Sequence, residues 1–250
     1  MIETLRITTY NIHKGLSSFN RRMVVHELRE RLSSVGADVL FLQEVQGEHT
    51  RLARRFEDWP GAPQHEFIAG AEWGQFAYGK NASYEGGHHG NAILSRFPIS
   101  RWANEDISAH RLERRGLLHC EIEIPGWKQP LHCVNVHLGL AARWRRQQIE
   151  ALCKRIERLV PKEAPLVIAG DFNDWRREAS YELIAALEVQ EAFEAFGGRP
   201  ARSFPAALPM FRLDRIYVRG FGVKHARVHH GYLWSRLSDH AALTATLIKK

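Results

Sequence analysis

Leu166-Val167-Ile168-Ala169-Gly170-Asp171-Phe172-Asn173 is a run of four apolar residues stopped by a glycine, which delivers an aspartate and an asparagine. A short unbroken apolar run is the pattern of a strand covered on both faces. A strand covered on both faces needs layers above and below it, so helices must flank the sheet. Gly-Asp tightens the turn at the strand end and aims the carboxylate.

The same layout recurs on either side of this stretch. Thr4–Tyr10 is β-branched and reads as a strand that ends at Asn11. Asp38–Gln43 is a second short apolar strand, ending at Gln43-Glu44. Between them, Val25, Leu28, Leu32 and Val35 recur at helical spacing, which predicts a helix over 21–35. Asn91–Ser95 is another strand. Leu118, Cys120, Ile122 and Ile124 alternate, Pro125-Gly126 turns the chain, and Leu131–His137 returns as the hairpin partner. Ala141–Val160 and Tyr181–Leu187 read as helices, and Asp214–Val218, Val223–His229 and Ala241–Ile248 as late strands. Hairpins beside βα units argue for an α/β (α+β) fold with mixed sheets. No repeat, low-complexity tract or linker interrupts it, so a single domain over 1–250 is expected.

The 250 residues are 44% hydrophobic and 25% charged, an ordinary globular composition. No apolar run approaches the roughly 20 residues of a membrane helix. Met1–Ile7 lacks the basic-then-apolar layout of a signal peptide. Cys120, Cys133 and Cys153 are widely spaced and lie in apolar stretches, so buried free thiols and a cytoplasmic location are expected. The formal net charge of +7 favours polyanionic partners such as nucleic acids, phospholipids or phosphorylated small molecules.

Strand after strand thus ends in a polar residue: Asn11, Glu44, Asn135-Val136-His137, Asp171-Phe172-Asn173, and Ser238-Asp239-His240 before the last strand. Rigid strand ends can bring catalytic groups together. Glu44 and Asp239 are hard oxygen donors and Asn11 a neutral one, a set that suits Mg²⁺ or Mn²⁺. Asp171 could orient or deprotonate a water, with Asn173 fixing its geometry. His137 and His240 could donate hydrogen bonds to phosphate oxygens or protonate a leaving group. Each residue alone has a plainer reading as a solvated strand end or a turn. The ordered set carries the case.

With these residues the chain resembles the endonuclease/exonuclease/phosphatase (DNase I-like) superfamily over nearly its whole length. Thr9-Tyr10-Asn11-Ile12 resembles the motif whose Asn lies beside the metal, and Leu42-Gln43-Glu44-Val45 the motif of the principal metal ligand. Gly90-Asn91-Ala92-Ile93-Leu94-Ser95 resembles a motif near the substrate phosphate. Asn135-Val136-His137-Leu138 resembles one whose His contacts the phosphate or acts as general acid. Gly170-Asp171-Phe172-Asn173 resembles the water-handling motif. Arg212-Leu213-Asp214-Arg215-Ile216 resembles the strand whose Asp pairs with the final His, and Ser238-Asp239-His240 the closing pair of metal-proximal Asp and catalytic His. Arg115 has two readings of equal weight, a reach to the substrate phosphate and an exposed strand-start arginine. The resemblance implies a four-layer α/β sandwich, two mixed β-sheets packed between helices. It also implies a Mg²⁺- or Mn²⁺-dependent phosphoric ester hydrolase, expected to be a monomer. Asn11-Ile12-His13-Lys14-Gly15 is similar to small bacterial members.

Basic charge and arginines favour a nuclease-type phosphodiesterase acting on nucleic acid. A phospholipid or sphingomyelin-type phosphodiesterase, with peripheral lipid contact through Tyr232, Leu233 and Trp234, is the alternative, as is a small-molecule phosphatase. Loss of a motif residue would point to a catalytically silent binding module, and none is lost. Trp73–His89, rich in glycine and aromatics, reads as a long flexible loop. Arg143-Trp144-Arg145-Arg146 reads as a helix start that could bind backbone phosphates or be a solvated face with Trp144 packed.

Overall fold

The computed structural model describes residues 2–17 and 21–250. In chain order it runs β1 (Thr4–Asn11), α1 (Val25–Val35), β2 (Val39–His49), α2 (Thr50–Arg55), α3 (Gln64–Ala69), β3 (Gln75–Tyr84), β4 (Gly87–Ser95) and β5 (Ile99–Asp106). It continues with β6 (Gly116–Ile122), β7 (Leu131–His137), α4 (Ala142–Leu159), β8 (Leu166–Asp171), α5 (Glu178–Leu187), β9 (Gln190–Glu191) and α6 (Ala192–Gly197). The last elements are β10 (Asp214–Arg219), β11 (Phe221–His229), α7 (Tyr232–Ser235) and β12 (Ala242–Lys249).

Two six-stranded mixed sheets result, in the orders β11-β12-β1-β2-β4-β3 and β5-β6-β7-β8-β10-β9. Each holds one parallel pair near its centre, β1 with β2 and β7 with β8, and every other pairing is antiparallel. A parallel pair needs a crossover, and α1 and α4 supply it. The carboxyl ends of these two pairs carry Asn11, Glu44, His137 and Asp171.

Side-chain alternation sorts the layers. Leu5, Ile7, Val39, Phe41 and Ile93 face Leu118, Cys133, Val167, Ala169 and Ile216 in a core between the sheets. The outward residues Tyr10, Leu40, Leu42 and Leu94 pack under Val25, Leu28 and Leu32 of α1. On the far side, Val134, Val136, Leu166 and Ile168 meet Ile149, Leu152 and Ile156 of α4. The four-layer sandwich that the resemblance implied is therefore the fold. Burial of each such Leu or Ile stabilises it by about 1.5–3 kcal/mol relative to exposure. Among the described residues no helix is long and apolar enough to cross a membrane, and all three cysteines are free, with Cys120 and Cys133 buried and Cys153 half-buried.

Three expectations need correction. Trp73–His89 is not a long flexible loop. Gln75–Tyr84 and Gly87–Ser95 form the hairpin β3–β4, and Trp73 is buried, donating its indole N–H to Ala37 O at 2.9 Å. The β3 edge strand alternates poorly because half its residues face solvent, so its sequence carries no period-2 signal. The helix over 21–35 begins only at Val25. Arg145, grouped with surface arginines, is buried and donates to Gly139 O and Leu140 O, which removes it from any external phosphate. Its neighbour Trp144 stacks on His110 with ring centroids 4.5 Å apart.

Candidate active site

A cavity of about 340 Å³ opens over the carboxyl ends of the two parallel pairs. It is lined by Asn11, Glu44, Arg115, His137, Asp171, Asn173, Asp239 and His240 from the expected set. Lys14, His89, Leu140, Trp175, Phe204 and Leu213 join them. Asp214 stands directly behind His240.

Asp171 is the hub. In register it lies between His137 on β7 and Asp214 on β10. Gly170 makes that placement possible. Its φ is +147°, and a Cβ there would lie 1.9 Å from Val136 O, so only glycine lets β8 run this close to β7. Asp171 Oδ1 accepts the backbone N–H of Asn173 at 3.0 Å, closing the turn. Asn173 adopts φ +48° and spends its amide N–H on Leu138 O at 2.9 Å. Asp171 Oδ2 accepts from Asn11 Nδ2 across the two sheets at 3.1 Å. It also faces His137 Nε2 at 3.5 Å and His240 Nε2 at 3.7 Å.

The two histidines are tuned in opposite directions. Burial, with the positive charge of Arg115 and other neighbours, holds His137 well below the ordinary imidazole value, so it is neutral. Burial also disfavours the charged form of His240, but the carboxylates of Asp214 and Asp171 outweigh it and lift the ring to about 10. The short bond from His240 Nδ1 to Asp214 Oδ2, 2.8 Å, fixes the ring and leaves Nε2 facing the cavity. Burial pushes the Asp171 carboxyl up, while the imidazolium of His240 opposes this.

Glu44 reaches the cavity through a distortion of β2. The register with β4 shifts between Leu42 and Val45, and Glu44 sits in that bulge at φ +55°. Strain of this kind in a non-glycine residue is typical of functional positions. Asn11 Nδ2 lies 3.4 Å from Glu44 Oε1, and its Oδ1 accepts His13 N at 3.1 Å. His13 Nδ1 stands 3.3 Å from Asp239 Oδ1, and Lys14 Nζ 3.8 Å from Glu44 Oε2. The hydrogen bond with Asp239 raises His13, and that bond offsets the effect of burial to keep Asp239 below the usual carboxylate range.

The donor set fits a hard divalent cation. Asn11, Glu44 and Asp239 offer two carboxylates and an amide oxygen, with His13 beside Asp239 and Lys14 beside Glu44. Asp171, Asp214 and His240 form a second, fully buried group with ligand atoms within 4.8 Å of one another. In that group His240 Nδ1 is committed to Asp214, which leaves its Nε2 and the Asp171 carboxylate to face the cavity.

Asn91 is not brought to the cavity. Its amide donates to Gly116 O at 3.1 Å and Asn135 O at 3.5 Å, buried between the sheets. Asn135 in turn donates to Leu42 O and Ala92 O and accepts from Gln43 Nε2 at 2.9 Å. These amides clamp the two sheets below the site. Arg115 lines the cavity, but its guanidinium is held by Leu138 O and Glu113. His13 and Lys14 were missed as site residues, although they lie two and three residues after Asn11. Also missed were Trp175 and Phe204, which wall the cavity beside His240, the Phe204 and His240 rings 5.0 Å apart.

Residues 8–240 match the family model described as Endonuclease/Exonuclease/phosphatase family. The chain is 43% identical over 244 residues to "Uncharacterized protein YbhP" of Escherichia coli K12, covering 98% of this chain and 96% of that protein. A solved endonuclease/exonuclease/phosphatase from Beutenbergia cavernae superposes with TM-score 0.76 at 19% identity, covering 99% of this chain and 72% of that one. A second, from Bacteroides vulgatus, gives 0.76 at 16% identity over the whole of both chains. TDP2 from Caenorhabditis elegans gives 0.72 at 21% identity, covering 98% of this chain and 74% of that one. At these identities the structures speak for the fold, and the family model spans most of the sequence. The chain belongs to the endonuclease/exonuclease/phosphatase family.

Proposed function

We propose that this protein hydrolyses a phosphodiester by direct attack of water, with Mg²⁺ or Mn²⁺ held by Asn11, Glu44 and Asp239. The observation that carries the reading is the convergence of His137 Nε2 and His240 Nε2 on one carboxylate oxygen of Asp171 at the cavity floor. The bound cation would neutralise a non-bridging phosphate oxygen and stabilise charge on the leaving oxygen.

The chain's own residues do the rest. Asp171 orients the attacking water and accepts its proton, and a carboxyl pushed up by burial is a better base than an exposed one. Asn173 and Asn11 hold that carboxylate in place. The His240 imidazolium, fixed by Asp214, donates Nε2–H to a non-bridging phosphate oxygen whose charge grows toward the transition state. Neutral His137 supplies a second hydrogen-bond donor. The net charge of +7 suits an anionic substrate and supports nucleic acid as one class.

The test is hydrolysis of bis(p-nitrophenyl) phosphate by chelator-stripped protein on add-back of Mg²⁺ or Mn²⁺. The reading expects activity restored by the ion. No activity with any divalent ion would refute it.

A further inference from the structure

Phe204-Pro205-Ala206-Ala207-Leu208-Pro209-Met210-Phe211 is eight consecutive uncharged, apolar residues between Arg202-Ser203 and Arg212. It folds back as a tight hairpin, with Phe204 N donating to Phe211 O at 3.1 Å and Phe211 N to Phe204 O at 2.7 Å. Ala206 N bonds to Asp239 O and Ala241 N to Ser203 O, both at 2.7 Å, which fastens the hairpin beside the site. Its far end serves no core: Leu208 is 69% and Met210 51% exposed. Trp175 and Phe211 pack edge to face with centroids 4.9 Å apart and continue this lip into the cavity.

A second lip rises from the turn His110–Glu113, which lifts Arg111 and Leu112, the latter 91% exposed. Glu113 accepts the backbone N–H of Leu140 at 3.0 Å and so holds it next to that turn, 61% exposed on the cavity rim. Apolar residues presented this way around a site mark an interaction surface. The charged side chains on the segments that carry them are mostly basic. Residues 199–212 and 138–149 contain no carboxylate, and Glu113 is tied to Arg115 and Leu140. Arg111, Arg143, Arg199 and Arg202 are exposed.

We infer that the two lips form a membrane-docking surface that seats the cavity on an anionic bilayer, and that the ester cleaved is a lipid headgroup phosphodiester. The substrate half of this inference rests on the hydrolase reading above. Exposed apolar side chains enter the acyl boundary while arginines meet anionic headgroups, and the two together give peripheral binding. Nucleic acid is the less suited occupant. Bases bind on open aromatic faces, whereas the most exposed lip residues, Leu112, Leu208, Leu140 and Met210, carry no aromatic ring. Apolar and basic groups continue together beyond the lips, since a cavity of about 620 Å³ lined by Pro209, Val228 and Trp234 with Arg202, Arg227 and His230 lies beside exposed Tyr232 and Leu233. Hydrolysis would form the P–O bond to water and break the P–O bond to the leaving alcohol. The proton removed from water ends on the leaving oxygen.

Co-sedimentation with vesicles tests the surface. Wild type, the double variant L208S/M210S and, separately, L112S are spun with phosphatidylcholine vesicles and with vesicles also containing phosphatidylglycerol. Each is assayed in parallel on soluble bis(p-nitrophenyl) phosphate. The expected result is wild-type binding to anionic vesicles, weakened about tenfold or more in the double variant and less in L112S, with soluble-diester turnover unchanged. Wild type that does not sediment, or variants that sediment as wild type does, would overturn the docking surface. Oligonucleotide binding lost in the same variants, without vesicle binding, would assign the surface to nucleic acid instead. Failure of the wild type on the soluble diester would sink the hydrolase reading and the lipid ester with it, while vesicle binding would still decide the surface.

Discussion

Replacing Gly170 with alanine should damage both stability and turnover, and the size of the effect can be worked from the backbone. The new Cβ would lie 1.9 Å from Val136 O and 2.9 Å from its carbonyl carbon. An unstrained carbon–oxygen contact is about 3.3 Å or more, so β7 and β8 must part by about 1.4 Å. A non-glycine residue at φ +147° costs about 1–3 kcal/mol by itself. Parting the strands weakens one or two ladder bonds at about 1 kcal/mol each. The sum, about 2–5 kcal/mol, is a large share of a typical total stability of about 5–15 kcal/mol. The displacement falls on Asp171, the next residue, and misplacing a catalytic group by about 1 Å costs about a hundredfold in rate. Urea denaturation followed by circular dichroism gives the first number, and turnover of the soluble diester gives the second. Gly61→Ala is the control, because a Cβ there meets nothing within 4 Å. If Gly170→Ala unfolds and turns over like Gly61→Ala, the placement of Asp171 described here is wrong.

Three further perturbations probe other parts of the account. Asn135→Ala strips partners from the carbonyls of Leu42 and Ala92 and from Gln43, all buried, and should cost about 2–4 kcal/mol in urea denaturation; a near-neutral result would mean the sheets are not clamped there. Glu44→Gln should raise the Mg²⁺ concentration for half-maximal activity by about tenfold or more while leaving thermal stability nearly unchanged; an unaltered metal requirement would remove Glu44 from the ion. His65 is buried and stacked on Tyr78 with centroids 4.5 Å apart, and burial holds it at about 4. Its folded value lies below the unfolded value of about 6.5, so it withdraws stability as pH falls from about 6.5 toward 4. His65→Phe keeps the stack and should reduce the stability lost between pH 7.5 and 4.5 by about 2 kcal/mol; an unchanged acid limb would refute this.

Much of the site was legible because strands end abruptly in sequence. At Gly170-Asp171 an unbroken apolar strand stops at a polar residue, at Ser238-Asp239-His240 a polar group opens the last strand, and the ordered set pointed to one end of the sandwich. The Asp214–His240 couple followed from the resemblance and is present at 2.8 Å. What stayed hidden depends on backbone detail or on tertiary exposure. Glu44 sits in a bulge within β2, which runs on to His49, and no local pattern marks its left-handed φ. Asn91 lies in a motif that the resemblance put near the substrate phosphate, but its amide turns into the clamp below the site, donating to Gly116 O and Asn135 O. The 204–211 run is apolar enough to pass for core, and only the fold shows that its tip is exposed. The β3–β4 hairpin was missed because its glycines and half-exposed edge erase the alternation.

Single-turnover hydrolysis of bis(p-nitrophenyl) phosphate by Asp171→Asn in saturating Mg²⁺ bears most directly on the central claim. The substitution keeps the shape of the side chain and its place among Asn11, His137 and His240 while removing the base. The expected rate is at least about a hundredfold below wild type, with an unchanged circular dichroism spectrum. A folded Asp171→Asn protein that cleaves the diester at the wild-type rate would contradict it.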